Sequence, residues 1–130
     1  MRFSLLVLAS PLAAEAGDTA WRFARAAIDA GHEIYRVFFY GEGVYHGLQL
    51  ATPAQDEVDR EQRWAELAAE ADIDLVLCIA SAVKRGVLDA DEAARHEQPS
   101  SCAHPAFELS GLGQLVDAHL QCDRLLTFGH

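Results

Sequence analysis

Basic residues are scarce in this 130-residue chain: ten Lys and Arg stand against twenty Asp and Glu, a formal net charge of −10. Such a surface repels nucleic-acid phosphates, which argues against direct nucleic-acid binding. Long apolar runs are missing as well, and none approaches the roughly 20 residues of a membrane-spanning helix. Cysteine is confined to Cys78, Cys102 and Cys122, an odd number with no Cys-x-x-Cys pair. That spacing signals neither a zinc knuckle nor a thioredoxin-type dithiol, and free thiols in a reducing compartment fit it best. What remains is the composition of a globular protein, about half apolar, at a length that gives one domain over residues 1–130.

Familiar α/β motifs are absent too. The turn after the first apolar run, Ser10-Pro11-Leu12-Ala13-Ala14, is no glycine-rich phosphate cradle and holds no phospho-acceptor carboxylates. Gly41-x-Gly43 is a fragment of a dinucleotide fingerprint. Leu109-Ser110-Gly111 lacks the first glycine of a nucleophile elbow, so Ser110 reads as a helix cap.

The elements that are present alternate. Residues 3–9 read as a buried strand; although Arg2 and the Ala-rich stretch to Gly17 resemble a signal peptide, the apolar run is short for one. This reading makes the protein cytoplasmic. Asp18-Thr19 is expected to cap a helix to Ala30 that Gly31 stops, and residues 33–40 are rich enough in β-branched and aromatic side chains for a second strand. A glycine-containing loop, 41–47, holds Tyr45 and His46. A helix over 55–71 is expected to bury Val58, Trp64, Leu67, Ala68 and Ala71 and to turn Glu61, Glu66 and other acids outward. A third strand spans 75–80, with a short helix from Ser81 and another from Asp89. Residues 97–105 read as a long exposed loop. A short strand at 107–109, a helix capped by Ser110 with Leu112, Leu115, Val116, His119 and Leu120 on one side, and a last strand at 123–128 complete the series. The pattern gives an α/β fold, a three-layer α/β/α sandwich with a mostly parallel five-stranded sheet. It does not set the strand order.

Several side chains could carry chemistry. Cys102-x-His104, with His96, His119 or Cys122, has metal-ligand types without metal-ligand spacing. Cys122 reads as packing and His119 as a core histidine. Cys78 stands at the end of Leu75-Val76-Leu77, where a parallel sheet gathers its chemistry. It is either a core cysteine or a nucleophile. The nucleophilic form is the thiolate, whose pKa of about 8.5 falls beside a helix N-terminus or a cation. A helix starting near Ser81 would supply N–H groups, and Lys84 and Arg85 place positive charge on the same segment. No resolving cysteine or general base stands nearby in sequence. A sulfur relay needs neither, only one accessible thiolate.

Met1-Arg2-Phe3, Gly31-His32-Glu33, Val37-Phe38-Phe39-Tyr40 and Glu42-Gly43-Val44-Tyr45 are followed in order by Cys78-Ile79-Ala80-Ser81-Ala82-Val83-Lys84-Arg85-Gly86-Val87. Leu109-Ser110-Gly111-Leu112-Gly113 and Cys122-Asp123-Arg124 close the series. Over essentially its whole length the chain resembles the DsrE/TusD family of sulfur-relay subunits, most of all its members from sulfur-oxidising bacteria. The resemblance implies a cytoplasmic sulfurtransferase subunit in a heterohexamer with DsrF-like and DsrH-like subunits, two copies of each. It implies a persulfide on Cys78, a TusA-like or rhodanese-like donor, and a DsrC-like or TusE-like acceptor with a thiol on a mobile tail. It implies no metal, flavin or nucleotide. Lys84 departs from the pattern, since TusD chains tend to have Arg there, but the charge is kept. Lys84 would support the thiolate, and Tyr45 and His46 would line the mouth of the site. A TusD-type role in tRNA 2-thiouridine synthesis, or a docking and scaffold role using the acidic helix, are the alternatives.

Overall fold

The computed structural model describes residues 1–129; the single domain expected over 1–130 extends one residue, His130, beyond them. Five strands form the sheet: β1 (Arg2–Val7), β2 (Glu33–Phe39), β3 (Asp74–Cys78), β4 (Glu108–Ser110) and β5 (Arg124–Phe128). Their order is β4-β3-β2-β1-β5 and every neighbouring pair is parallel. Parallel neighbours need crossover connections, here α1 (Ala16–Asp29), α2 (Arg60–Ala71), α3 (Ile79–Lys84), α4 (Ala90–Arg95) and α5 (Gly113–Gln121). The expected α/β class holds, and the sheet is wholly parallel.

Strand alternation divides the core in two. Leu5, Val7, Val37, Phe39, Leu75 and Leu77 point to one face, where Ala20, Ala24 and Ala27 of α1 and Trp64 and Leu67 of α2 cover them. Phe38, Val76 and Cys78 point to the other, packed with Leu6 and with Leu115 of α5. On this second face Ser4 Oγ donates to the Ala118 carbonyl at 3.1 Å. The buried Arg36 guanidinium reaches Asp74 at 2.7 Å and Asp117 at 2.8 Å, fastening α5 over β2 and β3.

Several boundaries differ from the sequence reading. Helix α1 starts at Ala16, before the expected Asp18-Thr19 cap. Asp18 instead binds Arg60 at 3.0 Å and Arg63 at 2.8 Å across to α2, so a long-range ion pair replaces the local cap. Helix α2 starts at Arg60 rather than near Gln55, with Asp59 Oδ1 accepting from the Gln62 N–H at 3.3 Å. Val58, expected inside, lies before the helix and is exposed, whereas Glu61, expected outside, is buried. The phase explains Glu61: it stands three residues before Trp64, on the face that packs inward. Strand β3 ends at Cys78, two residues early, because α3 begins at once.

Residues 41–47 form a 3-10 helix, Gly41–Gly47, rather than an open loop. In the stretch 97–105, residues 97–101 are exposed, but Cys102 and His104 are fixed by backbone bonds to Leu88 and Gly47. Ser110 ends β4 and caps nothing; Leu112 precedes α5 without a side-chain cap. Leu115 and Ala118 of α5 face the sheet, leaving Leu112, Val116 and Leu120 exposed. His119 is exposed too, and Cys122 is half-buried. The side of α5 that the sequence reading placed inside is thus largely its outer one.

Candidate active site

Leu75-Val76-Leu77 is apolar on both alternating faces because the sheet is covered on both, and this run carries Cys78 to the C-terminal edge. Cys78 is the last residue of β3 and the residue immediately before α3. The opening N–H groups of a helix have no partner within it and carry its positive end. Cys78 is 1% exposed, and Phe38, Val76, Leu6 and Leu115 surround it. Across β3–β4 its register partner is Ser110.

The segment after Cys78 is clasped from above. The Gly41 N–H donates to Ser81 Oγ at 3.0 Å. Arg85 closes the same contact, pairing with Glu42 at 3.4 Å and donating to the Ser81 carbonyl at 3.2 Å. Small side chains at Ala80, Ser81 and Ala82 let the 3-10 helix come this close. Sequence reasoning passed over Ser81 and Glu42; the run of small residues after Cys78 and the glycines on both sides of Glu42 were the available signals.

The other residues singled out with Cys78 lie apart from it. Lys84 is exposed at the opposite end of α3, roughly 9 Å along the helix axis at 1.5 Å per residue. Tyr45 and His46 line a cavity whose wall does not include Cys78. His46 is 1% exposed, with its Nε2–H donating to the Ala9 carbonyl at 3.2 Å. Its ring lies 5.4 Å from that of Phe39, and burial pushes its pKa down to about 4. A mouth at Cys78 lined by His46 is therefore not what the fold builds.

Cys102 Sγ donates to the Gly86 carbonyl at 3.1 Å, at the far end of α3. His104 Nε2 is 3.3 Å from Gln62 Oε1, and His96 pairs with Glu92 at 3.3 Å. These possible metal ligands have separate partners, and among the described residues no three His, Cys, Asp or Glu converge.

A sequence model of the DsrE/DsrF-like family matches residues 1–128. The chain belongs to the DsrE/DsrF-like family. Among its relatives in that family is a protein of Allochromatium vinosum named "Putative sulfurtransferase DsrE", 47% identical over 129 residues that cover 99% of both chains. Another is the sulfurtransferase TusD of Salmonella dublin, 41% identical over 128 residues, 98% of this chain and 100% of that one. The crystal structure of the ychN protein from E. coli has the same fold, with a TM-score of 0.79 at 19% identity over 98% of this chain and 99% of that one. No helix of this DsrE/DsrF-like chain is long and apolar enough to cross a membrane.

Proposed function

We propose that this chain is a sulfurtransferase subunit in which Cys78 carries sulfane sulfur as a persulfide. The observation that carries the reading is the position of Cys78, a thiol at the C-terminal edge of a parallel sheet and directly before a helix. In the first step the Cys78 thiolate attacks the outer sulfur of a donor persulfide. An S–S bond forms at Cys78, the donor S–S bond breaks, and the donor leaves as its thiolate. An acceptor thiolate then attacks that outer sulfur, and Cys78 leaves as thiolate. Neither step has net oxidation or reduction.

Lys84, exposed at the far end of α3, lies too far off for contact with Cys78. Since Cys78 is buried among Phe38, Val76, Leu6 and Leu115, transfer requires that packing to open. The resemblance supplies the setting: a cytoplasmic heterohexamer with DsrF-like and DsrH-like subunits, a TusA-like or rhodanese-like donor, and a DsrC-like acceptor in sulfur oxidation.

Incubation with a persulfidated donor should add the mass of one sulfur to this chain, and Cys78→Ser should take up none. Uptake by that variant would overturn the assignment. The match to TusD favours a second reading, relay to a TusE-like acceptor for tRNA thiolation. Offering the loaded chain both acceptors separates the two, because the physiological one removes the sulfur faster. A scaffold subunit would bind the acceptor and keep its sulfur.

A further inference from the structure

The ladder between β3 and β4 sets a hydroxyl beside the thiol. Its register pairs Val76 with Glu108, Leu77 with Leu109 and Cys78 with Ser110. Partners in a parallel register share one face of the sheet. Phe38 and Val76 are paired and lie on the face of Cys78, while Leu77 and Leu109 are paired and lie on the other. Cys78 and Ser110 therefore stand side by side on the α5 face. Neighbouring strands run roughly 4.8 Å apart, so a staggered rotamer of Ser110 that leans towards β3 brings its hydroxyl within hydrogen-bond reach of the sulfur. β4 is an edge strand, so Ser110 has a strand neighbour on the β3 side alone.

An anionic sulfur in this position needs a donor. Phe38, Val76, Leu6 and Leu115, packed with Cys78, offer none, and a buried charge without a hydrogen bond is costly. The nearby cations are committed elsewhere. Arg36 binds Asp74, Asp117 and the Gln114 carbonyl, and Asp74 lies four residues before Cys78, about 13 Å along the strand. Arg85 is taken by Glu42 and the Ser81 carbonyl, and Lys84 is at the far end of α3. Ser81 Oγ already accepts from the Gly41 N–H. Ser110 is half-buried, and α5 does not use it as a cap. Gly111 and Gly113 follow it, and a Cβ on either would meet nothing within 4 Å, so the chain beside Ser110 is open to an approaching partner.

We propose that Ser110 is a catalytic residue of the relay: its hydroxyl donates a hydrogen bond to the Cys78 sulfur while that sulfur is anionic, before it attacks the donor persulfide and as it leaves to the acceptor. This rests on Cys78 being the sulfur carrier. The hydroxyl keeps its proton throughout, so the S–S bonds are the only covalent bonds that form and break. The β3–β4 ladder holds Ser110 in place, so it stays beside the sulfur when Leu115 and Leu6 move off it.

The full-length chain is compared with its Ser110→Ala, Ser110→Thr and Cys78→Ser variants. Iodoacetamide labelling of Cys78 is followed by mass spectrometry from about pH 6 to 10, the range in which thiols ionise. At about pH 7 Ser110→Ala should label roughly three- to tenfold more slowly. That factor is the loss of a hydrogen bond to a charged group, offset in part because a more basic thiolate is a better nucleophile. The deficit should vanish at the alkaline end, where both chains hold thiolate, and Ser110→Thr, which keeps the hydroxyl, should follow the parent. Loading of sulfur from glutathione persulfide at neutral pH should slow in Ser110→Ala by a similar factor. A Ser110 that served packing alone would change labelling by one factor at every pH. Parent-rate labelling by Ser110→Ala, a deficit that persists at high pH, or a Ser110→Thr as slow as Ser110→Ala would each overturn the proposal. Sulfur uptake by Cys78→Ser would instead overturn the reading of Cys78. No uptake there, with parent-like loading by Ser110→Ala, keeps Cys78 as carrier and removes Ser110 alone.

Discussion

The backbone N–H of Gly41 donates to the Oγ of Ser81 across 3.0 Å, joining the start of the 3-10 helix to α3 three residues beyond Cys78. Gly41 has φ +60, a left-handed conformation that glycine adopts without strain. With the Glu42–Arg85 pair beside it, this contact ties the 3-10 helix to the helix that follows Cys78, whose own thiol is 1% exposed and packed with Phe38, Val76, Leu6 and Leu115. A reaction at Cys78 is therefore governed by how often the packing of Leu115 and Leu6 against it opens, as well as by thiol chemistry.

Alkylation rates read that opening directly. Cys102 and Cys122 are half-buried and should react with iodoacetamide in the native chain well before Cys78. Leu115→Ala removes an apolar side chain packed against Cys78, and a loss of about 1 kcal/mol for this partly buried residue corresponds to roughly a fivefold larger open population. Labelling at Cys78, followed by mass spectrometry, should accelerate by about that factor. Parent-chain labelling of Cys78 as fast as Cys102 would show that this packing does not protect it.

Two glycines are required by close approach rather than by their φ angles. A Cβ on Gly17 would run into the His46 ring, and one on Gly43 would run into the Val7 carbonyl. Gly17→Ala should lower stability by about 1–3 kcal/mol, the usual cost of overpacking. Gly43→Ala should cost more, since its neighbour is backbone and cannot swing away. The urea midpoint measures both, with an unchanged slope showing that the unfolded state is the same.

Histidine and carboxyl at the cavity give opposite pH slopes. His46 is held at about 4 in the folded chain against 6.5 as an ordinary histidine. Below pH 6.5 the unfolded chain binds a proton that the folded one refuses, so stability falls as pH drops towards 4. Glu61 is raised from 4.5 to about 7, chiefly by burial. Above pH 4.5 the unfolded chain releases a proton that the folded one keeps, so stability falls as pH rises through 7. Glu61→Gln should remove only the second decline, and its urea midpoint should gain on the parent between about pH 5 and 8. Parallel pH profiles for parent and variant would show that Glu61 keeps an ordinary carboxyl pKa.

The sequence reading met its limits at particular residues. Apolar runs such as Leu75-Val76-Leu77 announce fully covered strands, since a sheet with helices on both faces leaves no polar side to alternate with. The alternation of such runs with helical patterns gave the α/β class. Local signals failed where a distant partner outbid them. Asp18 and Ser110 look like helix caps, yet Asp18 bonds two arginines of α2 and Ser110 ends an edge strand. Leu112, Val116 and Leu120 share a helical stripe, but the sheet meets Leu115 and Ala118, and nothing local says which side it meets.

Cys78 was legible by itself: the end of an apolar run, followed by small residues, places a thiol at a strand–helix junction whatever the strand order. Its surroundings were not. That Ser81 and Arg85 clasp the 3-10 helix, and that His46 is buried in a separate cavity, depends on contacts between residues 37 to 43 positions apart in the chain. Periodicity and turn chemistry describe neighbours along the backbone, so they determined the elements and the one thiol at their edge. Which side chains bury that thiol, Leu115 of α5 among them, and which ones leave a buried nitrogen without a partner, are decided by how distant elements pack together, and only the tertiary structure shows that.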